Sequence, residues 1–317
     1  MTVPHRRCGR SGLLLPAISL GLWQGTGSYV DEQASRRIVT GAFERGITHF
    51  DLANNYGNPA GASETLFGRI LRDLPRHEVV VSTKAGYRMW PGPHGEGGSR
   101  KHLIQSCEQS LTRLGIDHVD IFYSHRFDPD TPLEETIGAL DHLVRSGKAI
   151  YAGVSNYADP HFTRAVDLGR RLSPITIHQP RYSILDRRAE TAVLPTAGRE
   201  GVGVICFSPL EQGLLAGRYL DGIPADSRAA RSQGNGGLTA DRLSPEALER
   251  ARRLAAIARA RGQTPAQLAL AWVLRDPRVT SAVIGASRLE QIDDALGALT
   301  GPALGSEELA AIDAACA

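Results

Sequence analysis

Short apolar segments alternate with longer segments of helical periodicity along the whole chain. The longer segments carry apolar residues three or four positions apart, as in ASRRIVTGAFERG and HLIQSCEQSLTRLG, which is typical of amphipathic helices. The short segments are nearly continuous apolar runs, which is typical of strands buried on both faces. Eight such runs predict eight strands: ISLGLW (18–23), HFDLA (49–53), VVVSTKA (79–85), VDIFYSH (119–125), IYAGVSN (150–156), ITIHQPRY (175–182), GVICFSP (203–209) and TSAVIGA (280–286).

The alternation of eight strands with helices favours a closed (β/α)8 barrel of parallel strands, the TIM-barrel fold. An open, doubly wound sheet is the alternative that the pattern alone leaves open. Two additions are expected: a hairpin over RRCGRSGLLLP near the N-terminus, and a functional loop after the seventh strand at residues 214–244, which is too long for an ordinary connection. No linker divides the chain, so we expect a single domain over residues 1–317.

Composition argues against several classes of partner. The 36 basic and 34 acidic residues give a formal charge of +2, too small to indicate a nucleic-acid surface. No apolar run reaches the roughly 18 residues of a membrane helix and the N-terminus resembles no signal peptide, so we expect a cytoplasmic protein without a membrane partner. The cysteines show no metal-ligand spacing, which predicts reduced thiols and no metal site: Cys8, Cys107, Cys206 and Cys316.

Ionisable residues end three consecutive predicted strands. Asp51 and the nearby Tyr56 follow the second strand, Lys84 ends the third and His125 ends the fourth. Because the carboxyl ends of barrel strands form the active-site face, we expect these four residues to lie together. Lys84 would lower the pKa of Tyr56, Asp51 would hold Lys84, and His125 would hydrogen-bond to a carbonyl oxygen. The group suits protonation of a carbonyl oxygen while hydride is delivered to the carbon.

The hydride must come from a cofactor, because no side chain can donate one. Gly25 and Gly27 lack the third glycine of the dinucleotide-binding fingerprint, which disfavours a Rossmann site. Barrels commonly bind phosphate in the loops after strands seven and eight, here residues 207–215 and 284–291. The second of these loops begins a helix and could bind an anion or form an ordinary helix cap, through Gly285, Ser287 and Arg288.

Together these segments resemble the aldo-keto reductases, a family of (β/α)8 carbonyl reductases that use NADPH. The likeness is carried by HFDLANNYG, STKAG, IFYSHR, GVSNY, IHQPRYS, FSPLEQGLL and GASRLEQ. More narrowly, KAGYRMWPGPHGEGGSRKHL and DIFYSHRFDPDTPLEET resemble the branch of bacterial L-glyceraldehyde 3-phosphate reductases and the related β subunits of voltage-gated potassium channels.

The resemblance implies NADPH-dependent reduction of small aldehydes, such as L-glyceraldehyde 3-phosphate or methylglyoxal, with a detoxifying role. The alternative is an NADPH-binding regulatory subunit similar to the channel β subunits. Those subunits carry Asn where this chain has His125, which favours the enzyme. The resemblance also implies a homo-oligomer of four or eight chains.

The resemblance assigns each catalytic residue a role: Tyr56 is the general acid, Asp51 and Lys84 are the pair that tunes it, and His125 orients the carbonyl. It implies that NADPH is preferred over NADH through arginines around its phosphates. Two positions depart from the family pattern: Asp294-Ala295 replaces Glu-Asn beside the adenine, and Arg218 replaces Lys. The implied cofactor contacts are Trp23, Asp51, Ser155, Asn156, Gln179, Phe207, Ser208, Pro209, Leu210, Gln212, Arg218, Arg228, Gly285, Ser287, Arg288, Gln291 and Asp294.

The substrate pocket is expected at the same end of the barrel. Its aromatic residues would be pocket wall or core, and a small pocket walled by Trp suits short aldehydes. Arg126 would hold a substrate phosphate or form a structural ion pair with Asp128 or Asp130. The implied substrate contacts are Trp23, Tyr56, Tyr87, Trp90, His125 and Arg126.

Overall fold

Eight parallel strands pair in chain order and close into a barrel. The last strand pairs with the first, with Ala282 beside Ile18, so the barrel prediction is confirmed and the open sheet is excluded. The structure is a computed structural model that describes residues 3–23, 25–225, 227, 229, 230, 238 and 243–316. After the hairpin strands β1 (His5–Arg7) and β2 (Leu14–Pro16), the barrel strands are β3 (Ile18–Gly21), β4 (His49–Asp51), β5 (Val80–Ala85), β6 (Val119–Ser124), β7 (Ala149–Ser155), β8 (Ile175–Gln179), β9 (Gly203–Cys206) and β10 (Val279–Ile284).

Helices cover the outside of the barrel, as the alternating pattern predicts. Short 3₁₀ helices lie at Arg76–Glu78, Arg188–Glu190 and Glu211–Ala216. The α-helices are α1 (Glu32–Glu44), α2 (Ala62–Leu71), α3 (Arg100–Leu114), α4 (Leu133–Arg145), α5 (His161–Gly169), α6 (Val193–Glu200), α7 (Pro245–Ala260), α8 (Pro265–Leu274), α9 (Leu289–Gly297) and α10 (Ser306–Cys316). None of the helices described is long and apolar enough to cross a membrane.

Several helices begin at residues whose side chains cap the first turn. Asp31, Ser99 and Ser244 each accept a hydrogen bond from a backbone N–H three residues later. Thr264 forms a capping box with Gln267 at the start of α8. Such caps satisfy orphan N–H groups, so they set where the helices begin and how long the preceding loops are.

The N-terminal hairpin packs against the inside of the barrel. Leu13 and Leu15 join Ile121 and Ile177 in a buried cluster that is separate from the larger core between strands and helices. Gly9 turns the hairpin at a φ of +56°, and a Cβ there would lie 2.2 Å from the carbonyl oxygen of Gly201. The hairpin therefore contributes to the inner core, and this part of the sequence prediction is confirmed.

The inside of the barrel is also partly polar. Val283 belongs to the inner cluster, and Ser281, two residues earlier on β10, therefore faces the same side. Ser281 hydrogen-bonds to Ser19 on β3, which in turn contacts His49 on β4. Barrel interiors are usually filled by branched apolar residues, so fully buried serine and histidine side chains on adjacent strands are unusual.

Candidate active site

A cleft of about 1320 Å³ opens at the carboxyl ends of the barrel strands. Its inner wall is formed by Asp51 and Tyr56 after β4, and by His125 after β6. The ring centroids of Tyr56 and His125 lie 5.9 Å apart in an edge-to-face arrangement. The tyrosine and the histidine are thus brought together, as the strand-end spacing predicts.

Lys84 lies beneath this wall rather than in the cleft. Its ammonium Nζ is 2.6 Å from Asp51 Oδ2 and donates a second hydrogen bond to the carbonyl oxygen of Leu52 at 2.7 Å. The same Nζ lies 5.3 Å from the ring centroid of Tyr56. Both charged side chains are buried, and a buried ion pair needs such additional partners to offset the loss of water.

The pKa values of these groups depart from their ordinary values mainly through burial. Loss of solvent lowers the pKa of Lys84, while the charge and hydrogen bond of Asp51 oppose the shift. Burial raises the pKa of Tyr56 well above its ordinary value, with further upward contributions from Asp51 and Tyr87. The expectation that Lys84 lowers the pKa of Tyr56 is therefore wrong for the net direction, because burial and the carboxylate dominate.

His125 is held as a neutral imidazole. Burial lowers its pKa well below the ordinary value, and the positive charges of Lys84 and Arg126 lower it further. Its backbone N–H donates to the carbonyl oxygen of Ala85, which ties the end of β6 to the end of β5. A neutral imidazole keeps one N–H donor and one acceptor nitrogen, so His125 can donate a hydrogen bond without carrying charge.

The loop that carries Tyr56 is fixed by close backbone packing. Gly57 has a φ of +95°, and a Cβ there would lie 2.6 Å from the backbone N of Ser63 at the start of α2. A Cβ at Gly27, which also has a positive φ, would lie 2.4 Å from the same atom. Ser63 donates from its hydroxyl to the carbonyl oxygen of Leu22. Side chains at the two glycines would push Tyr56 away from its neighbours.

Three polar residues that end β7 and β8 form one hydrogen-bonded group. Gln179 Nε2 donates to Asp51 Oδ1 at 3.1 Å, and Ser155 Oγ donates to the backbone oxygen of Gln179. Asn156 Nδ2 donates to the backbone oxygen of His125 at 3.0 Å. Asn156 also has a left-handed backbone with a φ of 58°, which is uncommon for a residue other than glycine and frequent at functional sites. The group borders the cleft beside the inner wall formed by Asp51, Tyr56 and His125, which is called the catalytic wall below.

In the loop after β9, three residues other than glycine have a left-handed backbone conformation. Ser208, Glu211 and Gln212 have φ values of 54°, 44° and 57°. Glu211 is held by an ion pair with Arg181 and by a hydrogen bond from Ser183 at 2.6 Å. This strained loop lines one side of the cleft through Ser208 and Gln212. Much of the segment 214–244, expected from its length to be a functional loop, lies outside the residues that the structure describes.

The loop after β10 begins α9 with a cap. Gln291 Oε1 accepts hydrogen bonds from the backbone N of Ser287 at 2.8 Å and from that of Arg288 at 3.3 Å. Asp294 Oδ1 accepts from the hydroxyl of Thr264 at 2.8 Å. The helix cap considered from the sequence is therefore present, and four of these five residues, all but Thr264, line the cleft.

Most of the residues expected to contact the cofactor line this one cleft. Arg228 lies outside the residues that the structure describes. Asn55 and Arg181 also line the cleft and were missed, although Asn55 lies directly beside Tyr56 in the sequence. The expected residues that line it are Trp23, Asp51, Ser155, Asn156, Gln179, Phe207, Ser208, Pro209, Leu210, Gln212, Arg218, Gly285, Ser287, Arg288, Gln291 and Asp294.

Two residues expected at the substrate end lie beside the cleft rather than in its lining. Trp90 is half-buried and packs against His102, with ring centroids 5.2 Å apart. Arg126 pairs with Glu96 at 3.3 Å, and its guanidinium carbon lies 4.8 Å from the centroid of Tyr87. An ion pair for Arg126 was one alternative, but its partner is Glu96 and not Asp128 or Asp130.

Tyr87 links Arg126 to the catalytic wall. Its ring contacts His125 edge to face, with centroids 4.6 Å apart, and it lines the cleft.

Within the described part of the chain, no group of three or more His, Cys, Asp or Glu residues could hold a metal ion. The cleft can offer a phenol and a neutral imidazole to a carbonyl group, with a buried ammonium near the phenol ring and an arginine close by.

A sequence profile of the aldo/keto reductase family matches residues 17–317. The chain belongs to the aldo/keto reductase family. It is 52% identical over 316 residues to the L-glyceraldehyde 3-phosphate reductase of Escherichia coli strain K12, an alignment that covers 98% of this chain and 91% of that protein. Family membership confirms the resemblance seen in the sequence and makes the protein an oxidoreductase.

Other relatives within this aldo/keto reductase group carry a different name. The chain is 38% identical over 304 residues to a putative voltage-gated potassium channel subunit beta of Schizosaccharomyces pombe, with 92% of this chain and 86% of that protein covered. It is 36% identical over 303 residues to a probable voltage-gated potassium channel subunit beta of Arabidopsis thaliana, covering 93% and 90%. The family thus includes proteins named for reduction and proteins named for a channel.

Proposed function

We propose that the protein reduces short aldehydes to alcohols with NADPH as reductant, and that L-glyceraldehyde 3-phosphate is a substrate. The observation that carries this proposal is the position of Tyr56 and His125 at the wall of the cleft, directly above the buried Lys84–Asp51 pair. The 52% identity to a protein named for the reduction of this substrate adds support.

The cleft fits a nicotinamide dinucleotide phosphate. It runs from the catalytic wall to the start of α9, where the Ser287 hydroxyl and the Arg288 guanidinium could contact a phosphate. Gln212 Oε1 is buried without a hydrogen-bond partner among the described residues, so a donor from a ligand would satisfy it. Ser155, Asn156 and Gln179 would hold the nicotinamide end, and Ser287 and Arg288 the phosphate of the adenosine.

Tyr56 would act as the acid. When bound, NADPH supplies the hydride that adds to the carbonyl carbon. The raised pKa of Tyr56 keeps its hydroxyl protonated at neutral pH, ready to donate to the carbonyl oxygen as negative charge develops there. The Lys84 ammonium near the ring then stabilises the phenolate that remains after the proton has left.

His125 would orient the substrate. As a neutral imidazole it can donate one N–H hydrogen bond to the same carbonyl oxygen and so hold it beside the Tyr56 hydroxyl. A charged imidazolium would compete with Tyr56 as proton donor. The low pKa of His125 therefore supports a division of roles between the two residues.

Arg126 would bind the phosphate of the substrate. Its ion pair with Glu96 is largely open to water, with 38% of the Arg126 side chain and 54% of the Glu96 side chain exposed. Such exposed pairs contribute little stability, so a substrate phosphate could take the place of the carboxylate. The packing of Arg126 on Tyr87 keeps the guanidinium close to the catalytic wall.

The second candidate function is that of a cofactor-binding regulatory subunit. The 38% and 36% identities to proteins named as channel β subunits favour it. Such a subunit would bind NADPH in the same cleft, and its turnover of short aldehydes would be slow and independent of Tyr56.

Purified protein should be assayed for NADPH oxidation with L-glyceraldehyde 3-phosphate, glyceraldehyde and methylglyoxal. We expect Tyr56→Phe to lose about 100-fold or more in kcat and to keep NADPH affinity, because the acid is removed and the ring is kept. Tyr151→Phe, a partly buried tyrosine outside the cleft, is the matched control. Equal, slow rates for wild type and Tyr56→Phe would favour the regulatory subunit.

The proposed contact between Arg126 and the substrate phosphate is tested with a second pair of variants. Arg126→Ala should raise KM for the phosphorylated aldehyde about tenfold or more and leave glyceraldehyde unaffected. Arg164→Ala removes an exposed arginine that pairs with Glu134 away from the cleft, and serves as control. An equal effect of Arg126→Ala on both aldehydes would contradict the phosphate role and leave a general aldehyde reductase.

A further inference from the structure

A continuous chain of hydrogen bonds crosses the inside of the barrel and ends on Asp51. Its four links join Ser281 Oγ to Ser19 Oγ (2.6 Å), Ser19 Oγ to His49 Nδ1 (2.8 Å), His49 Nε2 to Ser82 Oγ (2.9 Å), and Ser82 Oγ to Asp51 Oδ1 (2.6 Å). The five residues lie on β10, β3, β4 and β5 and are buried. This hydrogen-bond chain therefore links residues that do not line the cleft with the carboxylate that holds Lys84.

The direction of every donor in this chain follows from Asp51. The carboxylate faces the Lys84 ammonium at 2.6 Å, so it is ionised and can only accept. Ser82 must then donate its single hydroxyl proton to Asp51 Oδ1. This leaves Ser82 Oγ as the acceptor for His49, whose Nε2 must carry the ring proton.

The other half of the chain is fixed in the same way. His49 Nδ1 without a proton is an acceptor, so the hydroxyl of Ser19 donates to it. Ser281 then donates to Ser19 Oγ, because the only proton of Ser19 is already used. All four donors point towards Asp51, and aligned hydrogen bonds of this kind polarise and strengthen one another.

The hydrogen-bond chain requires a neutral His49. An imidazolium would carry protons on both ring nitrogens, so Nδ1 could not accept from Ser19. Burial lowers the pKa of His49 to about 4, and the charged groups that act on it are Asp51 on its own strand, Lys84 on β5 and Asp120 on β6. At neutral pH the imidazole therefore has one donor and one acceptor nitrogen. Both are used by the two serines that flank it.

We propose that His49 is a positioning residue for the reaction, which acts through Ser82 to hold Asp51 ionised and aligned beneath Tyr56. The inference rests on the proposed reductase function. Buried polar side chains contribute little to stability compared with apolar ones, so their presence in the barrel interior calls for another role. The hydrogen-bond chain terminates at the Asp51–Lys84 pair, which supplies that role.

The consequence for the reaction follows from the donors to Asp51. Its two oxygens accept from Ser82, Lys84 and Gln179. Without the donation from Ser82, Asp51 Oδ1 is held less firmly, so the carboxylate can move away from Lys84 and the ion pair that keeps Lys84 charged is weakened. The charge that supports the Tyr56 phenolate is then lost at a lower pH than in the wild type.

The test compares kcat as a function of pH in four variants. Ser82→Ala and His49→Leu should each lose about tenfold in kcat and shift the fall in activity at alkaline pH to lower pH. His49→Gln retains a side-chain N–H near the position of Nε2, so it should restore most of the activity and the wild-type pH profile. Ser106 is a buried serine on α3 that takes no part in the hydrogen-bond chain, so Ser106→Ala should match the wild type in kcat and pH profile.

Two outcomes would overturn the proposal. The first is a fall in kcat for Ser82→Ala and His49→Leu with no shift of the alkaline limb, which a merely structural role would give. The second is a His49→Gln variant as impaired as His49→Leu, since the rescue depends on the donor to Ser82.

The tautomer of His49 provides a measurement that needs no activity. In protein labelled with ¹⁵N-histidine, the His49 signals are identified as those absent from His49→Gln. At pH 7 we expect a protonated Nε2 and an unprotonated Nδ1. A protonated Nδ1 would reverse the donor directions and overturn the proposal, even if the wild type proves to have no reductase activity. This measurement therefore distinguishes failure of the proposed role of His49 from failure of the proposed reductase function.

Discussion

The Lys84 ammonium lies 2.6 Å from Asp51 Oδ2 in a site closed to solvent. The pair is the point at which the catalytic wall meets the barrel interior, because Lys84 also lies 5.3 Å from the Tyr56 ring and Asp51 ends the buried hydrogen-bond chain. The charge on Lys84 is compensated mainly by this carboxylate, with a further contribution from the carboxylate of Glu64. Stability and catalysis are therefore coupled through one ion pair.

We expect Asp51→Asn to lower both stability and activity. The substitution leaves a buried ammonium without its anion, which should reduce the free energy of unfolding by about 3 kcal/mol or more. Lys84 would lose its proton more easily, and kcat for aldehyde reduction should fall about 100-fold. Urea denaturation and steady-state kinetics measure the two effects. Asp313→Asn breaks an exposed pair with Arg187 and should cost at most about 1 kcal/mol with unchanged kcat.

Gly57→Ala should impair the active site through the backbone. The new Cβ would lie 2.6 Å from the backbone N of Ser63 and would need a φ of +95°, so the loop carrying Tyr56 must shift. We expect kcat to fall about tenfold or more, because small displacements of a catalytic group are costly.

Gly262→Ala provides the matched control for this effect. Gly262 also has a positive φ, of +68°, but a Cβ there would meet no atom within 4 Å. This variant should lose about 1 kcal/mol of stability and keep its kcat. If Gly57→Ala also kept full activity, the close packing against α2 would not be what positions Tyr56.

The catalytic wall could be predicted because it depends on local sequence. Asp51, Lys84 and His125 each follow a nearly continuous apolar run, and in a barrel the ends of such runs meet at one face. The hydrophobic pattern therefore gives both the strands and the side on which the polar residues gather. Tyr56 lies only five residues beyond Asp51, so the turn has to keep it nearby.

The contacts across the barrel could not be predicted in the same way. His49 shares a strand face with Asp51, two residues later, but its partners Ser19 and Ser82 are brought to it by strand pairing and register. Arg126 pairs with Glu96, 30 residues earlier, rather than with the nearby aspartates, because the loop after β5 folds back. The direction of the Tyr56 pKa depends on burial, which sequence proximity to Lys84 does not reveal.

His49 should make the protein less stable in acid. Its pKa is about 4 in the folded state and about 6.5 in an unfolded chain, so between these values the unfolded state binds more protons. Stability is therefore lost as the pH falls through this window, by about 2 kcal/mol between pH 8 and pH 5 for this residue alone.

Urea denaturation at pH 8 and pH 5 measures this contribution. His49→Gln should lose about 2 kcal/mol less than the wild type over the same interval, because glutamine does not titrate. His77→Gln removes an exposed imidazole and should follow the wild-type curve. Identical curves for His49→Gln and the wild type would show that His49 is not held neutral by burial.

Asp294→Asn should tighten the binding of NADPH. The carboxylate lies on α9 and lines the same cleft as Ser287 and Arg288, where the proposed phosphate contacts lie, and a like charge in this cleft opposes a phosphate. An asparagine keeps the oxygen that accepts from Thr264, so the variant removes the charge and preserves the hydrogen bond. We expect the Kd for NADPH to fall about threefold, with a smaller change for NADH, measured by isothermal titration calorimetry.

Asp293 gives a control one residue away on the same helix. It pairs with Arg45 at 2.6 Å and does not line the cleft, so Asp293→Asn removes the same charge without facing the ligand. Its Kd for NADPH should equal that of the wild type. Weaker binding by Asp294→Asn would mean instead that the carboxylate accepts a hydrogen bond from the cofactor. The departure at Asp294-Ala295 from the Glu-Asn of the family would then preserve the adenine contact in altered form.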